Sequence, residues 1–232
     1  MLILFDIDAT LVTTHRAGVG AMGDAGRALY GETFDESRIE YAGRLDPLII
    51  ADLLVAHDKP VTADSVEAFR AAYGRGLERR LSEPGVSRPL PGVMELVGAL
   101  RERDDLSIGL LTGNYPETGA VKLRAAGIEP EWFEVHVWGC DSPHDPPARD
   151  HLPLVGMQRH RAQKGIELDP NDVVIIGDTP HDVRCALVNG CRALGVATGS
   201  YDVAALQAAG AHRATPDLSD VEEALAWLMS AR

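Results

Sequence analysis

The stretch Leu2-Ile3-Leu4-Phe5-Asp6-Ile7-Asp8-Ala9-Thr10 decides the fold. Four apolar residues stand in a row and stop at an aspartate. An unbroken apolar run is what a strand covered on both faces requires, as in the parallel sheets of α/β proteins. Similar runs recur at residues 107–111, 135–138, 173–176 and 193–197. Helical patterns lie between them. Val93, Leu96, Val97 and Leu100 follow helix spacing after Pro91. Pro116 opens a segment ending at Gly127, and Pro180 opens another ending at Gly190, the expected asymmetry of helix ends. Ser219, with Glu222 three residues on, reads as a capping box for a last helix carrying Leu225 and Leu228. Strand and helix alternate, which predicts a doubly wound parallel sheet.

One long stretch breaks the alternation. Val66, Phe69, Tyr73, Leu77 and Leu81 fall three and four apart, one face of a helix. Leu48, Ile49, Leu53 and Leu54 predict a second helix and residues 17–29 a third. Glu83-Pro84-Gly85 and Pro89-Leu90-Pro91-Gly92 close the stretch with turn-forming residues. The expected organisation is an α/β core over residues 1–14 and 89–232, with a helical cap inserted at 15–88.

Composition narrows the function. The 232 residues carry 22 Lys and Arg against 35 Asp and Glu, a net charge of −13. Nucleic-acid binding draws its affinity from Lys and Arg on phosphates, and no basic run compensates here. The same balance disfavours anionic membranes, and aromatics at 5% leave little for base stacking. A small anion in a local cationic pocket stays compatible. Cys140, Cys185 and Cys191 form no CxxC pair and are expected as free buried thiols in a reducing compartment. No apolar run reaches a membrane span of about 18 residues, and the opening is too short and acidic for a secretory signal. The expected location is the cytoplasm, and a monomer or a homodimer fits equally.

In open α/β sheets, ligands bind beyond the carboxyl ends of the strands. Those ends read Asp6-Ile7-Asp8-Ala9-Thr10, Thr112-Gly113-Asn114 and Gly177-Asp178-Thr179-Pro180-His181-Asp182. Four carboxylates, a hydroxyl and an amide therefore meet at one edge. Each piece alone has a bland alternative: a turn aspartate, Asn114 as cap of the following helix, Thr179 as cap with Pro180 behind it. Together they crowd like charges that repel. A hard divalent cation such as magnesium, which is held by one or two carboxylates plus phosphate oxygens, would neutralise them.

These motifs resemble those of the haloacid dehalogenase-like hydrolase superfamily, most closely its branch of phosphoglycolate phosphatase-like and phosphoglucomutase-like enzymes with a helical cap after the first motif. The resemblance implies Asp6 as nucleophile forming an aspartyl-phosphate, and Asp8 as general acid and then base. It implies Thr112, with Gly113 and Asn114, on the phosphoryl oxygens. Asp178 would bind Mg2+ together with the Asp6 carboxylate and the Asp8 main-chain carbonyl, and Asp182 would support that site. Because Asp8 is present, a phosphate ester with an alkoxide leaving group is the better substrate class than a halide. The implied reaction is hydrolysis of a small phosphorylated metabolite. A sugar phosphomutase and a non-catalytic binding protein are the alternatives. Hydrolysis of a phosphonate would need a cap lysine, and Lys59, the only one there, sits in a turn.

The chain departs from the family pattern twice. Ala9 stands where the family usually has Gly, and would be strained if the position needs positive φ. The usual Lys-Pro of the third motif is missing. Arg149, ahead of an apolar helical stretch, is the expected phosphate-binding cation that orients Asp6. Lys122 is the runner-up, expected instead on the solvated face of the helix after Pro116, and Lys164 is expected to end a helix. In the cap, Arg44 is a candidate for a second anionic group of the substrate, and Thr13, Thr14 and His15 for the entrance. The eight histidines form no metal-ligand pattern, and His181 is notable only for its place inside the fourth motif.

Overall fold

The structure, a computed structural model, describes residues 1–230. The first strand, β1 (Leu2–Phe5), leads through β2 (Val12–Thr13) into α1 (Ala17–Tyr30), α2 (Asp46–Ala56) and α3 (Ala63–Leu81). The chain returns through β3 (Arg88–Pro89), α4 (Val93–Arg101), β4 (Ser107–Leu111), α5 (Pro116–Ala125), β5 (Val135–Val137) and α6 (Leu152–Lys164). It ends with β6 (Val173–Gly177), α7 (Pro180–Val188), β7 (Arg192–Val196), α8 (Val203–Ala208), β8 (Arg213–Thr215) and α9 (Val221–Met229).

Six strands form one parallel sheet in the order β5-β4-β1-β6-β7-β8. Successive residues of β1 serve opposite faces. Ile3 and Phe5 pack with α4, α5 and α9, through residues such as Leu96, Leu123 and Leu228. Leu2 and Leu4 pack with α6, α7 and α8, through Leu152, Val183 and Leu206. This two-sided burial is the physical reason the run of residues 2–5 has no polar break. The strands depart from β1 in both directions, so a crevice opens beyond its carboxyl end, between β1 and β6.

Helices α1–α3 lie between the short antiparallel strands β2 and β3, which close the base of the insertion. They share their own core around Phe34, Ile50, Phe69, Tyr73 and Leu77. Arg70 of α3 makes a two-pronged ion pair with Glu117 of α5, at 2.6 and 2.9 Å, and lies over the Tyr115 ring. The helical layer is thereby fastened over the sheet edge.

Several expectations need correction. The last helix is capped by Asp220, whose carboxylate accepts from Glu223 N–H; the Ser219 hydroxyl instead donates to Asp217. Strand β5 stops at Val137 because the Trp138 N–H turns to Asp141. Cys185 and Cys191 are buried free thiols, but Cys140 is exposed. Strand β8 carries no fully buried residue and so left no apolar run in the sequence. No helix among the described residues is long and apolar enough to cross a membrane.

Candidate active site

Asp6 follows directly on β1, and its N–H donates to the Ile176 carbonyl of β6 at 2.9 Å. Thr112 follows β4, and Asp178 follows β6. The crevice beyond β1 therefore receives all three. Asp182 joins them from the first turn of α7, where Thr179 caps the helix and the two side chains form a capping box. The Asp182 carboxylate accepts from the Thr179 N–H at 3.0 Å and its hydroxyl at 2.6 Å. The bland reading of Thr179 as a cap is thus also correct, and capping is what aims Asp182.

Arg149 lies in a short turn ahead of α6, with its guanidinium 3.1 Å from Asp6 and 2.5 Å from Asp182. All three side chains are buried. Burial works against the arginine charge, but Asp182 and Asp6 outweigh it and hold the guanidinium above its ordinary value. Burial pushes the Asp6 carboxyl up to about 6, with Arg149 opposing and Asp182 and Asp8 adding to the rise. Asp178 goes further, to about 9, through burial and then the charges of Asp182 and Asp6.

Asp6, Asp178 and Asp182 each offer a carboxylate oxygen within 4.8 Å of the others, a cluster that could hold a metal ion. The donor chemistry fits a hard divalent cation, since all ligands are oxygens and Asp178 is buried beside the carboxylates of Asp182 and Asp6, a crowding that burial and those charges both penalise. Asp182 already serves Thr179 and Arg149, which leaves Asp6 and Asp178 as the freer donors. Gly199 backs directly onto Asp178: a Cβ there would stand 1.9 Å from a carboxylate oxygen.

Asp8 faces the cavity, its side chain 44% exposed. Lys122 Nζ meets its Oδ2 at 2.6 Å, and Asn114 Nδ2 donates to the same oxygen at 2.8 Å. Lys122 also donates to Asn114 Oδ1 at 2.6 Å, and Asn114 Nδ2 to Thr112 Oγ1 at 2.8 Å. Lys122 is 4% exposed, so its expected place on a solvated helix face is wrong. The buried positions of α5 are Thr118, Gly119, Lys122 and Leu123, and Lys122 falls squarely on that inward stripe. Asn114 does not cap α5; Tyr115 occupies the cap position without a side-chain bond. Ala9 does adopt positive φ, at 54°. Its N–H donates to the Val12 carbonyl and its own carbonyl accepts from the Thr198 hydroxyl, which pins the turn.

The insertion roofs this site and encloses a cavity of about 520 Å³. Asp46 N–H donates to the Gly113 carbonyl at 2.7 Å, and its carboxylate accepts from the Tyr115 N–H and the Thr118 hydroxyl, both at 3.2 Å. Gly113 permits this approach, because a Cβ would stand 2.0 Å from the Arg44 carbonyl. Arg44 and Thr14 both line the cavity. Arg44 pairs with Asp52 at 2.5 Å and donates to the Glu40 carbonyl, so its charge is already engaged. Arg16 lines the same cavity and has no ion pair among the described residues. Lys59 lies over the Tyr30 ring, away from the cavity lining.

A doubly wound sheet, a carboxylate cluster at its central strand end and a helical insert above it define a capped hydrolase of the α/β class. A family model described as haloacid dehalogenase-like hydrolase matches residues 3–187, and a second of the same hydrolase type matches 155–224. The chain belongs to the haloacid dehalogenase-like hydrolase family, and within it to the phosphatases. It is 31% identical over 215 residues to the probable phosphatase IndB of Dickeya dadantii, covering 90% of this chain and 86% of that protein. It is 25% identical over 195 residues to the pyrophosphatase PpaX of Bacillus pumilus, covering 84% and 82%. Its fold matches that of CbbY from Rhodobacter sphaeroides in complex with phosphate, with a TM-score of 0.75 at 20% identity over 95% of both chains.

Proposed function

We propose that the protein is a magnesium-dependent phosphatase that hydrolyses a small phosphorylated metabolite, a phosphoglycolate-like or sugar phosphate monoester, through an aspartyl-phosphate on Asp6. The observation that carries this is the triangle of Asp6, Arg149 and Asp182 beside Asp178, on the floor of a roofed cavity into which Asp8 projects. The core would comprise residues 1–14 and 89–232 and the cap residues 15–88.

A carboxylate and a phosphate dianion repel, so attack requires cations around the reacting oxygens. Mg2+ held by Asp6, Asp178 and the Asp8 carbonyl, with Asp182 in support, would supply part of that charge. Arg149 supplies the rest and holds Asp6 in line for attack. The Thr112 hydroxyl and the backbone N–H groups of Gly113 and Asn114 would receive the phosphoryl oxygens, since the Asn114 side chain is engaged by Asp8, Thr112 and Lys122. An Asp6 oxygen bonds to phosphorus as the bond to the leaving oxygen breaks, and Asp8 gives that oxygen a proton. Asp8 then takes a proton from water as the water oxygen bonds to phosphorus and the Asp6 oxygen is released. Splitting the hydrolysis in two lets one nucleophile and one proton carrier serve both halves. Arg44 and Thr14 would contribute to specificity from the roof.

The test is release of phosphate from an aryl phosphate, pyrophosphate and a panel of metabolite monoesters, with and without magnesium, for wild type and Asp6→Asn. Magnesium-dependent release lost in Asp6→Asn is expected. Activity surviving in Asp6→Asn removes the nucleophile. A product that is an isomeric sugar phosphate, with no free phosphate, makes the protein a mutase; no turnover at all makes it a binding protein.

A further inference from the structure

We infer that Lys122 is a positioning residue for Asp8: a buried cation that grips one oxygen of the proton-transferring carboxylate and turns the other toward the substrate. The inference rests on the proposed phosphatase chemistry for the role of Asp8, and on the geometry alone for the grip.

Among the described residues, both polar contacts of the Asp8 carboxylate fall on Oδ2, from Lys122 at 2.6 Å and from Asn114 at 2.8 Å. Asp8 faces the cavity with its side chain 44% exposed, whereas Lys122, deep in the same cavity wall, is only 4% exposed. Oδ1 is thereby the oxygen left for proton transfer. Lys122 is itself fixed from three sides. Asn114 Oδ1 accepts its second hydrogen bond at 2.6 Å. The Ser87 hydroxyl donates to its backbone carbonyl at 2.9 Å. Gly18 of α1 closes over the ammonium, since a Cβ there would lie 3.4 Å from Nζ. Asn114 links the arrangement onward to Thr112. The two central carboxylates thus have separate buried cations, Arg149 for Asp6 and Lys122 for Asp8.

A charge-assisted bond of this kind is short and directional, and fixes a side chain more strongly than a neutral one. Proton donation to the leaving oxygen is worth roughly 10²–10⁴-fold, and it matters most for poor leaving groups. Loss of the grip should therefore fall on alkyl esters and spare esters of acidic phenols.

The experiment compares wild type, Lys122→Met, Lys122→Arg and Asp6→Asn on nitrophenyl phosphate and on benzyl phosphate in single-turnover mode with excess magnesium. Crystal structures of wild type and the two lysine variants accompany it. In Lys122→Met, benzyl alcohol release should slow at least about tenfold more than nitrophenol release, with the half-saturating concentration within about threefold of wild type. Lys122→Arg should recover part of the loss. In the Lys122→Met crystal the Asp8 carboxylate should leave its wild-type rotamer, and Lys122→Arg should keep it. Equal slowing of both esters, or an Asp8 rotamer unchanged in Lys122→Met, overturns the inference. An inert wild type, or turnover persisting in Asp6→Asn, overturns the phosphatase reading instead, and the crystal comparison still decides the role of Lys122.

Discussion

Arg149 stands between Asp6 and Asp182, 3.1 Å from one and 2.5 Å from the other, with all three side chains buried. A cation so placed cannot be removed cheaply, because two carboxylates would then face each other in a poorly solvated site. Removing one partner of a buried ionic group costs about 3–5 kcal/mol. Arg149→Met should lose that order of stability in urea denaturation and at least about a hundredfold in kcat. Arg149→Lys keeps the charge but not the planar fork, in which Nη2 meets both acids while Nη1 donates to the Gly43 carbonyl at 3.4 Å. It should retain more stability than Arg149→Met while still falling well short of wild-type turnover.

Metal removal tests the acidic side of the same cluster. With chelator present, Asp178 is held among Asp6 and Asp182 with its carboxyl pushed up to about 9 by burial and by those charges. Asp178→Asn removes the cost of keeping a buried carboxyl protonated at neutral pH and should raise the melting temperature of the metal-free protein, while abolishing phosphatase activity. Added magnesium should raise the melting temperature of wild type and leave Asp178→Asn nearly unmoved, since only binding to the native state stabilises it. A chelator effect of equal size on both proteins would place the metal elsewhere.

Much of this arrangement was legible in the sequence because burial leaves a simple trace. A strand covered on both faces is nearly all apolar, with Ser107 at the start of β4 the polar exception in these three, so β1, β4 and β6 stood out, and the aspartates and Thr112 marked where they end. Arg149 could be placed by its position ahead of α6. Lys122 could not, because a lysine on a helix is ordinarily solvated; the signal was its spacing of four from Thr118 and its adjacency to Leu123, both inward positions. The start of α9 misled for a different reason. Ser219 and Asp220 are both good caps, and only packing of the helix chooses between them. The engagement of Arg44 by Asp52 joins residues eight apart across a loop and a helix turn, which no local pattern reveals.

Ala9 offers a stability test independent of catalysis. Its φ of 54° lies in the left-handed region, where a Cβ costs roughly 1–2 kcal/mol. Glycine removes that cost but has more freedom to lose on folding, by roughly 0.5–1 kcal/mol. Ala9→Gly should therefore stabilise the protein by up to about 1.5 kcal/mol in urea denaturation. A clear loss of stability would mean that the Ala9 methyl group makes packing contacts worth more than the strain.

Asp46 ties the helical insert to the sheet edge and titrates in an accessible range. Burial pushes its carboxyl up to about 6 from an ordinary 3.8, although the charge of Lys122 and the bonds from Tyr115 and Thr118 pull it down. A carboxyl whose folded value is raised favours the fold in its protonated form. Its contribution is fully present below about pH 4 and is lost as pH rises through 6. The loss approaches about 3 kcal/mol at neutral pH, at about 1.4 kcal/mol per unit of displacement. Asparagine keeps an acceptor for Tyr115 and Thr118 but carries no charge to desolvate. The stability of Asp46→Asn relative to wild type should therefore improve by that order between pH 3.5 and 7, measured by urea denaturation across the range. A difference that stays flat with pH would show that Asp46 titrates alike in the folded and unfolded chain.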